Sequence, residues 1–315
     1  MAIAITMCKL FAALLLGYVL NKLGMLDEGT SKKLSAIIVN AVLPFMIISS
    51  VAGIEGGGSE VLILFGGGVL CYCIFPVVGW VVVRLMRVQP DLRGTYMCMV
   101  MFSNNAFMGY PVVSALFGSS AIFYSTIFNM LFNLMVFSLG MILIRRDAGA
   151  DKAAGTGTVT SKERIRAVRQ VLNNGVIASV LALVIYFGRI PLPEVVSETC
   201  SFIGNICMPL SMMVIGSSIA GYPLKDVFSG KKIYLVTAVR LILMPIMVYF
   251  LLGLFLDNRE LVSIATITIG MPIASVVAMC STPYEKQGKE ASIAVVFSTI
   301  CSLITIPVMC VLLGA

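Results

Sequence analysis

The sequence predicts an all-α integral membrane protein with ten transmembrane helices arranged as two inverted five-helix repeats. Three observations lead to this fold class. Of the 315 residues, 59% are hydrophobic and only 12% are charged, whereas a soluble domain carries about 25% charged residues. Ten continuous apolar runs can each cross a bilayer, and the second five runs repeat features of the first five.

The ten apolar runs define the predicted spans 1 to 10. A helix needs roughly 20 apolar residues to cross the hydrocarbon core of a bilayer. Because the apolar residues are continuous rather than alternating, the runs predict helices and not the strands of a membrane barrel. The predicted spans lie near 2–21, 34–54, 61–83, 93–117, 120–144, 171–188, 195–220, 232–256, 259–282 and 291–313.

The loops between the spans predict the orientation of the chain. If the N-terminus lies outside, the inner loops hold 18 of the 22 Lys and Arg residues, and the outer loops hold only Arg189 and Arg259. Short cytoplasmic loops are rich in Lys and Arg. The split therefore predicts that both termini lie outside. It also accounts for the net charge of +7 without a nucleic-acid partner.

One long inner loop divides the chain into a first repeat at 1–144, a linker at 145–170 and a second repeat at 171–315. The Gly, Ala and Thr residues of the loop predict a flexible linker. Its basic segment, 162–169, is expected to lie on the anionic inner leaflet of the membrane.

Three short motifs recur in corresponding spans of the two halves, at offsets of 165, 169 and 173 residues. The pairs are Asn40/Pro44 with Asn205/Pro209, Pro76 with Pro245, and Ser125-Thr126-Ile127 with Ser298-Thr299-Ile300. Because five spans is an odd number, the second copy must enter the membrane from the opposite side. Inverted repeats of this kind are typical of secondary transporters.

Two spans are predicted to be broken near the middle of the membrane. Span 4 carries Asn104 and Asn105 within the stretch 103–111, and span 9 carries Ser275 within the stretch 270–275. Both stretches contain Gly and Pro, which interrupt helical hydrogen bonding. Each break creates a half-helix N-terminus whose free N–H groups suit a carboxylate. The sequence therefore predicts an anion site formed by the two breaks.

Other polar residues within the spans leave two interpretations open. Asn40 and Asn205 are either part of the site or hydrogen-bond between helices. Lys9 and Arg240 are interpreted as side chains that snorkel to the interface. The remaining prolines of the spans are interpreted as packing kinks: Pro44, Pro209, Pro245 and Pro307.

The residue types exclude several kinds of chemistry. The chain has no His, and no Asp or Glu lies in the middle of a span. A carboxylate or His proton relay is therefore not expected. A membrane-embedded enzyme would need catalytic residues at depth, and the sequence offers neither paired carboxylates nor a metal cluster. No cofactor is predicted.

Four stretches of the chain resemble bacterial members of the auxin efflux carrier family, relatives of the plant PIN-type carriers. The resemblance extends from span 1 to span 10 and is most specific in spans 9 and 10. The matching stretches are LPFMIISS in span 2, SNNAFMGYPV in span 4, MPLSMMVIGSSIA in span 7, and MPIASVVAMCSTPYEKQGKEASIAVVFSTICSLITIPVM across spans 9 and 10.

The resemblance implies that broken helices 4 and 9 cross, beside a scaffold of helices 1, 2, 6 and 7. By motif match, the substrate-facing positions are Asn104, Asn105, Gly109, Pro111 and Pro272. The implied substrates are organic anions such as auxin or small carboxylates. The implied location is the plasma membrane of a bacterium, with the chain often assembled as a homodimer.

The expected function is secondary transport of a small organic anion by alternating access, in the direction of efflux. An alternative on a similar fold is an importer of organic acids coupled to sodium or protons. A sensor without transport is a further alternative, for which a signalling domain would be needed.

Overall fold

The computed structural model describes residues 2–52, 58–147, 174–221, 224–228, 230–281 and 284–314. Nearly all of these residues lie in helices, which we number to match the predicted spans, with a and b for the two parts of a broken helix. The helices are α1 (Ala2–Lys22), α2 (Glu28–Ser50), α3 (Gly58–Leu85), α4a (Arg93–Met101), α4b (Asn105–Phe117), α5 (Ala121–Asp147), α6 (Asn174–Phe187), α7 (Glu194–Ala220), α8 (Lys231–Gly253), α9a (Arg259–Ile269), α9b (Ser275–Ser281) and α10 (Glu285–Leu313).

Six helices in the described part of the chain are long and apolar enough to cross a membrane: α2, α3, α5, α7, α8 and α10. Helices α4b and α6 are apolar but shorter. At 1.5 Å per residue, the 14 residues of α6 extend about 21 Å. The predicted linker, 145–170, lies outside the described residues beyond Asp147. The structure therefore supports a multi-pass membrane protein.

Two helices begin earlier than the apolar runs predict. Helix α2 begins at Glu28 rather than near residue 34, and α10 begins at Glu285 rather than near residue 291. The Asp27 carboxylate caps α2 by accepting a 2.7 Å hydrogen bond from the Thr30 N–H. Charged first turns therefore extend both helices beyond their apolar parts, where a hydropathy pattern gives no signal.

Three of the helices contain one wider, π-helical turn just before a proline. Each of these helices has a π-helical turn that ends two residues before a proline: Ile38–Val42 before Pro44, Asn105–Gly109 before Pro111, and Val239–Leu243 before Pro245. Because proline lacks an N–H and its ring clashes with the carbonyl four residues earlier, the wider turn relieves the clash. Pro44 and Pro245 therefore change the local helical geometry without breaking either helix.

Helices α1 and α7 pack backbone to backbone. A Cβ atom on Gly17 would lie 2.0 Å from the carbonyl oxygen of Met213, and one on Gly216 would lie 1.9 Å from that of Leu14. Only glycine fits at such a close approach. Where α4b and α10 meet these two helices, a void of about 10 Å³ remains. The broken helix α4 is thus packed closely against the α1–α7 pair.

Candidate functional site

The two helix breaks lie side by side and are joined by their main chains. The N–H of Asn104 donates a 2.8 Å hydrogen bond to the carbonyl of Pro272, and the N–H of Ala274 donates a 3.0 Å bond to that of Phe102. An antiparallel β-bridge pairs the residues between them, Ser103 and Ile273. Each break therefore satisfies backbone groups that the other break leaves without a helical partner. We call this pair of breaks the crossing.

A proline accounts for the α9 break but not for the α4 break. Helix α4a ends at Met101, and Phe102 is extended, with φ −109° and ψ 117°. Helix α9a ends at Ile269, where the Gly270 N–H closes the last turn on the Thr266 carbonyl at 2.7 Å. Pro272 follows and has no N–H with which to continue the helix. Pro111 causes no break, because it lies one turn inside α4b.

The two serines of the repeated Ser-Thr-Ile motif both make hydrogen bonds at the crossing. The Ser298 hydroxyl oxygen accepts a 3.1 Å hydrogen bond from the Ile273 N–H. The Ser125 hydroxyl lies 2.9 Å from that of Thr268 in the last turn of α9a. Ser125 and Ser298 are fully buried. A motif found only as a repeat signal therefore has a structural role at the breaks.

Arg240 is fully buried and donates hydrogen bonds to carbonyls at the C-terminal ends of α4a and α9a. Its Nη1 donates to the Val100 carbonyl at 2.9 Å, its Nε donates to the Met271 carbonyl at 3.3 Å, and its Nη2 donates to the Ile269 carbonyl. The prediction that Arg240 snorkels is wrong. The carbonyls at a helix C-terminus carry partial negative charge, so they stabilise a cation there. Lys9, in contrast, is exposed as snorkelling requires.

The charge of Arg240 has no buried carboxylate beside it. Among the side chains that the structure describes as buried, Arg240 is the only charged one. In a low-dielectric interior, carbonyl dipoles stabilise the guanidinium but do not neutralise its net charge. The crossing therefore lies in a region of positive potential, to which the N-terminus of α4b adds.

Asn105 directs an unpartnered donor into the crossing. Its Oδ1 accepts a 2.5 Å hydrogen bond from the Ser103 hydroxyl, whereas its Nδ2 is buried beside the Tyr72 hydroxyl without a hydrogen bond of good geometry. Only 1% of the residue is exposed. A buried donor of this kind is costly unless water or a ligand accepts from it.

Three residues that the sequence reasoning missed add unpartnered polar atoms near Asn105. The hydroxyls of Tyr72 and Tyr110 and the Oδ1 of Asn129 are buried without a hydrogen bond of good geometry in the described structure. Tyr72 lies beside the Asn105 amide and Arg240, and Tyr110 lies beside Asn129. The signal that could have identified them was a polar residue inside an apolar span. The sequence does not show, however, which of these polar residues lie close together in the folded protein.

The structure brings most of the predicted site residues together. Gly109 is buried in van der Waals contact with the crossing, since a Cβ atom there would lie 3.5 Å from the Met271 side chain and 3.7 Å from the Asn104 carbonyl oxygen. Pro111 and Pro272 are also buried, and Ser275 is half-buried at the start of α9b.

The structure does not bring Asn40 or Asn205 to the crossing. Both residues are exposed. The Asn40 amide donates a 2.8 Å hydrogen bond to the Ala36 carbonyl of its own helix, and its carbonyl accepts one from the Asn174 side chain. Asn40 therefore contributes to the packing of α2 against the start of α6.

Comparison with known proteins gives matches along nearly the whole chain. Residues 2–310 match the family described as membrane transport protein. A protein of Methanothermobacter thermautotrophicus, named an uncharacterized transporter, is 24% identical over 311 residues, which make up 98% of this chain and 97% of that protein. An uncharacterized transporter of Methanocaldococcus jannaschii is 23% identical over 300 residues, covering 93% of this chain and 92% of that protein.

Proposed function

The chain belongs to the membrane transport protein family, the family of the auxin efflux carriers, and on this premise we propose that it is a secondary transporter that exports a small organic anion by alternating access. The family and the two relatives indicate a transporter rather than an enzyme. Both relatives are archaeal, so the bacterial origin and the plasma-membrane location stay predictions.

The observation that carries the proposal is the buried, uncompensated charge of Arg240 beside an unpartnered amide donor. Arg240 and the Asn105 Nδ2 are both buried in the same crossing. A carboxylate would gain a hydrogen bond from the amide and would lie in the positive potential of the guanidinium and of the α4b N-terminus. An organic cation would be repelled by that potential. These features favour a small organic anion as the substrate.

The same contacts argue against the alternative of a sodium-coupled importer. In many carriers, unwound carbonyls of broken helices coordinate the coupling ion. The carbonyls of Val100, Ile269 and Met271 already accept hydrogen bonds from Arg240. The guanidinium therefore engages oxygen atoms that a sodium ion would need at the crossing. We propose that export is driven by the membrane potential, which favours loss of an anion by about 2.3 kcal/mol per charge per 100 mV.

The proposed movement displaces the crossing past the α1–α7 pair. The glycines allow the two backbones of that pair to pack closely. The void against α4b, about 10 Å³, has room for about one water molecule. We propose ten membrane crossings in two inverted halves, with both termini outside. We also propose the homodimer that the family resemblance implies.

The proposal can be tested in liposomes that contain the purified protein and a labelled small carboxylate. Efflux should become faster when a potassium diffusion potential makes the interior negative, and a sodium gradient should have no effect. Uptake that requires inward sodium would instead support the importer. Absence of flux for every carboxylate in a panel of mono- and dicarboxylates would contradict organic-anion transport.

A further inference from the structure

An apolar groove of about 410 Å³ runs between α8 and α10. Each wall is a stripe of exposed side chains at every fourth residue. The stripes are Ile242, Ile246 and Phe250 on α8, and Ile304, Val308 and Leu312 on α10. Eight residues of helix extend about 12 Å, so the groove is an elongated slot. Its volume lies within the range of about 300–1,000 Å³ found for small-molecule sites.

We propose that this groove binds one acyl chain of a bilayer lipid. Both walls belong to helices that are long and apolar enough to cross a membrane, and the side chains of both stripes are exposed. None of the lining residues is charged, so the groove complements a hydrocarbon chain and not a headgroup or an organic anion.

The floor of the groove is shared with the crossing. Met309 lines the groove, and its side chain covers Gly270 at the end of α9a, where a Cβ atom would lie 2.5 Å from the Met309 Cε. Leu241, which follows Arg240 in α8, also lines the groove. An acyl chain in the groove therefore presses on side chains that support the α9 break and the buried guanidinium. We infer that lipid occupancy stabilises the crossing.

The binding of lipid can be measured without any transport assay. Detergent-purified protein, washed to remove loose lipid, is examined by native mass spectrometry with added phosphatidylglycerol of defined chain length. The wild type should retain one lipid molecule. Val308→Trp should lose it, because the indole fills the groove. Val311→Trp is the matched control, since Val311 is equally apolar and 71% exposed on the same helix but does not line the groove.

A further variant separates a hydrocarbon chain from a polar ligand. The Thr305 hydroxyl lies in the groove wall without a hydrogen-bond partner. Thr305→Val should retain the lipid as the wild type does, whereas a polar small molecule that uses the hydroxyl would be lost. No retained lipid in the wild type, or equal retention in Val308→Trp and Val311→Trp, would overturn the proposal. If Val308→Trp does not fold, Ile304→Trp serves as the groove-filling variant.

The inferred link to the crossing has its own readout. Added phosphatidylglycerol should raise the melting temperature of the wild type and of Val311→Trp, but not that of Val308→Trp. Equal shifts in all three proteins would refute the link. Because neither measurement involves substrate, failure of the lipid site leaves the anion-transport proposal intact, and failure of transport leaves the lipid site testable.

Discussion

The N–H of Asn104 donates a 2.8 Å hydrogen bond to the carbonyl of Pro272, and so joins the breaks of the two halves through their main chains. The reciprocal bond from Ala274 to Phe102 completes a two-bond bridge. Because main-chain atoms make this bridge, it does not use the Asn105 Nδ2 donor.

Arg240→Met should remove the donor to three buried carbonyls. Each unpaired buried group costs about 1–3 kcal/mol, so the melting temperature should fall and carboxylate affinity should be lost. Arg240→Lys should retain part of the thermal stability and part of the carboxylate affinity, because lysine keeps the charge but lacks the planar set of donors. Arg84→Met is the control, since Arg84 is exposed and lies over the Trp80 ring. Unchanged affinity in folded Arg240→Met would show that the guanidinium has no role in binding.

Ser298→Ala should leave the buried N–H of Ile273 without its acceptor. The expected loss in the free energy of unfolding is about 1–3 kcal/mol, measured as a lower melting temperature. Ser218→Ala is the control, because that hydroxyl donates only to the Val214 carbonyl of its own helix. Equal melting temperatures for the two variants would mean that Ser298 does not brace the crossing.

Pro272→Ala should allow α9 to close across its break. The new N–H could donate to the carbonyl of Thr268, one helical turn earlier. The crossing would then lose its extended segment and the two main-chain hydrogen bonds to α4, so flux per molecule should fall sharply and the melting temperature should fall as well. Flux and melting temperature are measured on the same reconstituted sample. Full flux per molecule would restrict the transport role to α4.

Thiol labelling tests the proposed orientation. In a background without the nine native cysteines, a single Cys at Ser59 or Ser197 should react with an impermeant reagent from outside intact cells. A single Cys at Ser161 should not react until the membrane is opened. The reason is the excess of Lys and Arg in the predicted inner loops. Labelling of the residue-161 variant in intact cells would reverse the orientation.

The sequence predicted the crossing better than the groups that surround it. Pro272 marks the α9 break through its own backbone chemistry. The structure also has the predicted break near Asn104, although Pro111 is not its cause. The role of Arg240 was not found. Arg240 can be buried because carbonyls from α4a and from the α9 break accept its hydrogen bonds. The position of an arginine along a predicted span does not show whether such carbonyls surround it.

The repeat motifs show a second limit of the sequence. A recurring motif identifies corresponding positions, but it does not say which face of a helix points inward. Ser125 and Ser298 therefore lie at the crossing, whereas Asn40 and Asn205, found by the same reasoning, are exposed. The unpartnered hydroxyls of Tyr72 and Tyr110 follow no spacing rule and needed the packed structure.

The most direct test of an anion site at the crossing compares a carboxylic acid with its neutral primary amide, on the wild type and on Asn105→Ala. Thermal-shift titration with a panel of small carboxylates should raise the melting temperature of the wild type, and the matching amides should not. Losing the Asn105 donor to a charged group costs about 1.5–3 kcal/mol, so Asn105→Ala should need roughly 10- to 150-fold more acid. Asn205→Ala, exposed and away from the crossing, should respond as the wild type does. Equal responses of the wild type and Asn105→Ala, or no response to any acid, would contradict the account.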